Sequence, residues 1–267
     1  MTPRNFLVRG LLAGILSGIF TFAVAYAAGE PQVDAAIAVE DAGAASGHAG
    51  GPSDEPATGS HTHSHDGAGS GTVVSRDHQS TWGLATGTFA VSTAIGGVVG
   101  LVSAFASGRL GRLRPGQSTA LVALIGFVSV ALVPFLKYPA SPPAVGNPDT
   151  IGDRTAQYFT MLAISLLAAI AVVLLARRLL ERLGTYRTIL AAGGTYLVVV
   201  IVAGLLLPTV NEVGDFPGDT LWYFRRASLL TLATMWGAVG IILTGLVGQL
   251  YERESAAAAR KDLAASL

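Results

Sequence analysis

The chain has 267 residues, of which 51% are apolar and 13% charged, with 17 basic and 17 acidic side chains and no cysteine. A charged fraction about half that of a soluble domain excludes an ordinary soluble fold. The absence of cysteine excludes disulfides, iron–sulfur clusters and thiolate metal sites. A phosphate loop needs Gly-Lys-[Ser/Thr], and the lysines, Lys137 and Lys261, lie in Leu-Lys-Tyr and Arg-Lys-Asp; neither HExxH nor GxSxG occurs. The sequence therefore predicts no enzyme and no nucleic-acid partner, and makes the lipid bilayer the expected surroundings.

A run of about 18 apolar residues without charge is a candidate transmembrane helix. Six runs qualify: 6–28, 82–105, 119–136, 156–176, 188–207 and 228–250; only the first holds a charge, Arg9, near its start. The expected fold is an all-α integral membrane protein of six transmembrane helices, or five if the first is cleaved as a signal. Its expected divisions are a first helix (1–28), a disordered extracytoplasmic loop (29–81), a five-helix membrane domain (82–250) and a cytoplasmic tail (251–267).

The first run has two readings. Arg4 and Arg9, an apolar stretch and Ala25-Tyr26-Ala27 resemble a secretory signal with its cleavage site. Gly10, Gly14 and Gly18 instead form a small-residue ladder that lets another helix approach closely, and a cleaved signal has no use for one. The ladder favours a retained helix.

Segment 29–81 is rich in Gly, Ala, Ser and acidic residues, a composition that buries little apolar surface. All five histidines lie in it: His48, His61, His63, His65 and His78. Neutral imidazole is a common ligand for borderline divalent metals. In an extended chain His61, His63 and His65 face one side, and His48, His78 and Asp66 could complete a flexible shell. Such a loop suits capture and hand-off of metal with modest affinity, because each ion bound must order the chain. The plainer reading is a polar linker.

Further along, Gly83/Gly87, Gly96/Gly100 and Gly237, Gly240, Gly245 and Gly248 repeat the small-residue spacing and fit close helix packing. Segments two and three, joined through 108–113, faintly resemble segments four and five, joined through 180–184. Each pair ends in an outer loop containing proline, and duplicated units are common in transporters. Within the runs no acid, base or histidine occurs beyond Arg9. A polar path would need Thr86, Thr88, Thr93, Met161, Thr231, Thr234 or Met235, all more readily explained as packing residues.

Basic residues orient membrane proteins. With the N-terminus inside, only Arg76, Lys137, Arg154, Arg225 and Arg226 of the 17 basic residues lie outside. The acids divide the other way and give an acidic outer face. Two outer loops carry more information than the histidine segment. The first, 134–155, holds five prolines that limit its freedom. The second, 207–225, ends in an aromatic cluster suited to a membrane interface. Their oxygen donors, Asn147, Asp149, Asp153, Asn211, Glu212, Asp215 and Asp219, could together strip water from a divalent cation; Asn211 and Glu212 are the stronger candidates and Asp219 the weakest. Helix capping and salt bridges, such as Arg154 or Lys137 with Glu212, are the alternative.

The stretches PFLKYPASPPAVGNPDTIGDRT and LPTVNEVGDFPGDTLWYFR resemble the CbtA family of predicted cobalt transporter subunits, and RGLLAGILSGIFTFAVAYAAGEP is similar to that family's opening helix. The resemblance covers nearly all of the chain outside about 33–80 and implies a subunit moving cobalt, or another divalent cation, as transported substrate, with no organic cofactor. It also implies a link to cobalamin biosynthesis, a small single-span CbtB-type partner with a histidine-rich tail, and further transport subunits. The histidine-bearing insertion departs from the family pattern and could duplicate or replace that tail. The alternative function is a non-transporting membrane metal-binding or assembly protein.

Overall fold

The computed structural model describes residues 1–47, 75–111 and 113–266. Among these residues the chain is helical throughout, without strands. Five helices are long and apolar enough to cross a membrane: α1 (Pro3–Gly43, its helical backbone continuing to Gly47), α2 (Arg76–Ala106), α3 (Pro115–Lys137), α4 (Pro148–Leu206) and α5 (Gly218–Ala265). Pro3 and Pro115 stand in the first turns of α1 and α3, where a missing N–H is no loss. Before α3, Gln117 Oε1 accepts the Arg114 N–H at 3.0 Å.

The six expected segments are found within five helices, because runs 156–176 and 188–207 both lie in α4. That helix is not straight. At Gly184, φ 72° and ψ 170° lie in a region essentially restricted to glycine. Ser165 and Tyr196 are 31 residues apart in sequence, which would put them about 46 Å apart along a straight helix. Their hydroxyl oxygens are 2.8 Å apart, so the two halves of α4 lie side by side as an antiparallel hairpin.

Both described ends of the segment expected to be a disordered loop, 29–81, are helical. The first helix continues through Glu30–Gly47, and α2 begins at Arg76. The helical continuation is alanine-rich and starts on an acidic first turn, both favourable to helix. Arg76 clamps it from the far side of the insertion by pairing with Glu30 and, at 2.9 Å, with Asp34. His48, His61, His63 and His65 lie outside the described residues.

Two departures from α-helical geometry follow from proline. Pro31 and Pro134 each lack an N–H and crowd the carbonyl four residues back. In each case a π-helical turn, Ala25–Gly29 or Phe127–Leu132, precedes the proline. The π turn at Gln79–Gly83 has no such proline.

The core is built by α1, α2, α3 and α5 around Phe6, Ala13, Val99, Ala123, Trp236, Val239, Leu243 and Val247. The closest approach is between α1 and α2, where the predicted glycine ladder is in use. A methyl group on Gly10 or Gly96 would collide with the other's backbone, and one on Gly100 would lie 2.6 Å from the Phe6 carbonyl oxygen. Gly14 and Gly18 face Ser92–Thr93 and Phe89 in the same seam. The α4 hairpin stands outside this core and joins it through Ser165, whose hydroxyl donates to the Ser129 carbonyl at 2.8 Å.

Candidate functional site

The two proline-containing loops meet at one end of the bundle. From the end of α3, the Lys137 ammonium donates to the Leu207 carbonyl at 3.1 Å and the Tyr138 hydroxyl to the Pro208 carbonyl at 2.8 Å. Further on, the Asn147 N–H donates to Glu212 Oε2 at 2.9 Å. Arg154 then closes a three-way junction. Its Nε lies 3.5 Å from Glu212 Oε2, and its terminal nitrogen donates to the Asn147 carbonyl at 3.2 Å. Gly146, at φ 114°, leaves room for the Arg154 guanidinium where any Cβ would sit. The Asn147 side chain caps the short 3₁₀ turn Pro148–Thr150 by accepting the Asp149 N–H at 3.0 Å.

This junction has an electrostatic consequence. The Asn147 N–H, then the Thr150 hydroxyl and the Arg154 charge, hold the Glu212 carboxyl below its ordinary pKa. Burial pushes the Tyr138 phenol up, which keeps it protonated as a donor to Pro208. Glu212 is therefore ionised and already occupied by loop contacts.

Beneath the loops is a cavity of about 760 Å³. It is open on one side and lined by the π turn of α1, the end of α3, the first loop, the start of α4, the second loop and the stretch of α5 from Phe224 to Leu232. Its wall carries Lys137, Arg154 and Arg225 against Glu30 and Glu212, with Tyr138, Tyr158 and Asn211 as polar neighbours and Phe135, Ile151 and Leu232 among its apolar lining.

The structure thus brings together some of the residues singled out in the sequence and separates others. Asn147 and Glu212 are in contact, and Asn211 and Glu212 line the cavity, while Asp149, Asp153 and Asp215 do not. Of the two salt bridges anticipated for Glu212, that with Arg154 forms, whereas Lys137 turns to the Leu207 carbonyl instead. His78, at the start of α2, meets the Ser75 hydroxyl at 2.8 Å through Nδ1. Among the described residues no three His, Asp or Glu side chains are grouped closely enough to hold a metal ion.

Lys137, Arg154 and Arg225, which in sequence read as topology charges or salt-bridge partners, all line this one cavity. A set of hydroxyls within the helix bundle also has no signature in the sequence. Ser17 donates to the Met235 carbonyl at 3.0 Å, Ser92 lies 3.4 Å from Thr21, and Ser165 joins Ser129 to Tyr196. Thr86, Thr88 and Thr231 bond back to their own helices, and Met161 and Met235 are buried, which fits packing roles. The spacing of Ser165 from Tyr196 carries no signal until the Gly184 turn is known.

Among known proteins, a family model described as "Probable cobalt transporter subunit (CbtA)" matches residues 3–248. Neither a curated protein nor a solved structure matches the chain.

Proposed function

This chain belongs to the CbtA family of probable cobalt transporter subunits, and from that premise we propose that it moves Co²⁺, or a related divalent cation, across the cytoplasmic membrane together with a small single-span CbtB-type partner and further subunits. The observation that carries this reading is the family match over nearly the whole chain, joined to five helices long and apolar enough to span a bilayer. Six spans rather than five are supported by the α4 hairpin, whose halves on either side of Gly184 pair through Ser165 and Tyr196. Retention of the first helix is supported by its glycine seam with α2, which would be lost on cleavage.

In this arrangement the termini are cytoplasmic and the loop end of the bundle is external, as the bias in basic residues favours. The segment with His48, His61, His63, His65 and His78 captures metal there at low concentration. Asn211, with Asn147, Asp149, Asp153 and Asp215 on the same two loops, offers oxygen donors along the route inward, and Glu212 joins them by giving up its contacts with Asn147 and Arg154. Such a capture segment raises the local supply of metal and contributes little selectivity. The cobalt so acquired serves cobalamin biosynthesis.

Cells carrying the chain and its partner should accumulate cobalt at low external concentration, and cells lacking the chain should not. Equal uptake would reject the reading. Deleting 48–74 should leave membrane insertion intact and lower uptake only when metal is scarce; abolished uptake at saturating metal would make the segment part of the path itself.

A further inference from the structure

The charges lining the loop-end cavity do not match a site for a bare cation. Three cations face two carboxylates, and both carboxylates are already engaged. Glu212 is paired with Arg154, and Glu30 is paired with Arg76, which is not part of the wall. Lys137 and Arg225 remain without a carboxylate among the described residues. The Lys137 ammonium has the Leu207 carbonyl at 3.1 Å and the Tyr138 ring at 5.5 Å. Arg225 has one long contact, Nε to the Ala140 carbonyl at 3.4 Å, which leaves its two terminal nitrogens without a bond to any described residue.

A cation set against apolar walls is stable when an opposite charge and hydrogen-bond acceptors complete its surroundings. The terminal nitrogens of arginine form a planar fork that matches a carboxylate or phosphate in two parallel bonds. The cavity's size points the same way. At about 760 Å³ it falls in the range of small-molecule sites. A divalent ion with six waters would fill only about 180 Å³, at about 30 Å³ per water.

We propose that this cavity binds a small organic anion bearing a carboxylate or phosphate group, held by Arg225 and Lys137 with its carbon skeleton against the apolar wall. Two sources supply that chemistry: a soluble acid, including one that chelates metal, and the headgroup of an anionic lipid. Anion binding can fail while uptake survives, and uptake can fail while anion binding survives.

The test uses the full chain in nanodiscs of neutral phosphatidylcholine, titrated calorimetrically with citrate and with inorganic phosphate at low ionic strength. A parallel arm adds phosphatidylglycerol and counts retained lipid by native mass spectrometry. The wild type should bind one of these anions, and R225Q and K137Q should each weaken binding at least tenfold. R225K, which keeps the charge and loses the fork, should retain part of it. R226Q removes the neighbouring charge, which lies over the Tyr223 ring at 4.9 Å and outside the cavity wall, and should change binding less than twofold. Citrate or phosphate binding identifies a soluble ligand; phosphatidylglycerol retained by wild type and lost in R225Q identifies a lipid. Absence of binding by all three anions, or an equal loss in R226Q and R225Q, overturns the proposal.

Discussion

The α1–α2 pair and the α4 hairpin are both apolar helix pairs, yet they are held in different ways. In the first, glycines let the two backbones touch along several turns, inside the core. In the second, a single glycine turn reverses the chain, and one hydroxyl bond ties its halves together. Within lipid there is no hydrophobic force between apolar helices, so close packing and buried polar contacts decide how firmly they associate. The first pair has several close backbone approaches within the core and forms the frame of the bundle. The hairpin is tied through Ser165 to Tyr196 and Ser129 at mid-helix and through the loop junction at its ends. The cavity lies where the frame and the hairpin's loops meet.

The largest expected effect comes from breaking the frame. Gly14→Leu places a side chain on the Ser92–Thr93 backbone, with the new Cβ only 2.6 Å from the Thr93 Cα. Backbone cannot yield as a side chain can, so the loss should reach about 3 kcal/mol or more. Folded, monodisperse protein should fall sharply in detergent-extracted size-exclusion profiles.

Breaking the hairpin turn should matter less. Gly184→Ala forces an alanine into a glycine-only conformation and should cost about 1–3 kcal/mol, read as a lower melting temperature with the α1–α2 seam still resistant to proteolysis. Loss of that resistance would mean that the hairpin supports the frame. Tyr196→Phe removes the hydroxyl bond and should cost about 0.6 kcal/mol, with about 1.7 kcal/mol as an upper bound. A double-mutant cycle with Ser165→Ala isolates the pair.

The smallest effect belongs to Glu212→Gln at the loop junction. The Glu212 carboxyl is held below its ordinary pKa, so its contribution to stability is fully present above the unfolded value of about 4.3 and is lost as pH falls through the lower folded value. The melting difference between wild type and E212Q should therefore be present at pH 7 and vanish in acid. A difference that grows in acid would contradict the assignment.

The frame was legible in the sequence because close helix approach demands small residues at fixed spacing, and Gly10, Gly14, Gly18, Gly96 and Gly100 supply them. The hairpin was legible as two apolar runs around Gly184, since charges and a glycine interrupt the hydrophobic pattern there. Glu30–Gly47 was misread because its glycine, serine and acid content matches disorder, while its helix extends one already formed and is clamped by Arg76, over 40 residues away in sequence. Lys137, Arg154 and Arg225 come from α3, α4 and α5 and meet only after folding. No local pattern announces such a convergence, and in sequence each reads as a boundary charge.

The most direct test of cobalt transport is accumulation of radioactive cobalt in sealed vesicles containing the purified chain and its partner subunits, with surface-bound metal removed by chelator before counting. A transporting complex leaves cobalt protected from the chelator and released when the vesicles are permeabilised. Cobalt that the chelator removes completely would show binding without translocation and would contradict transport.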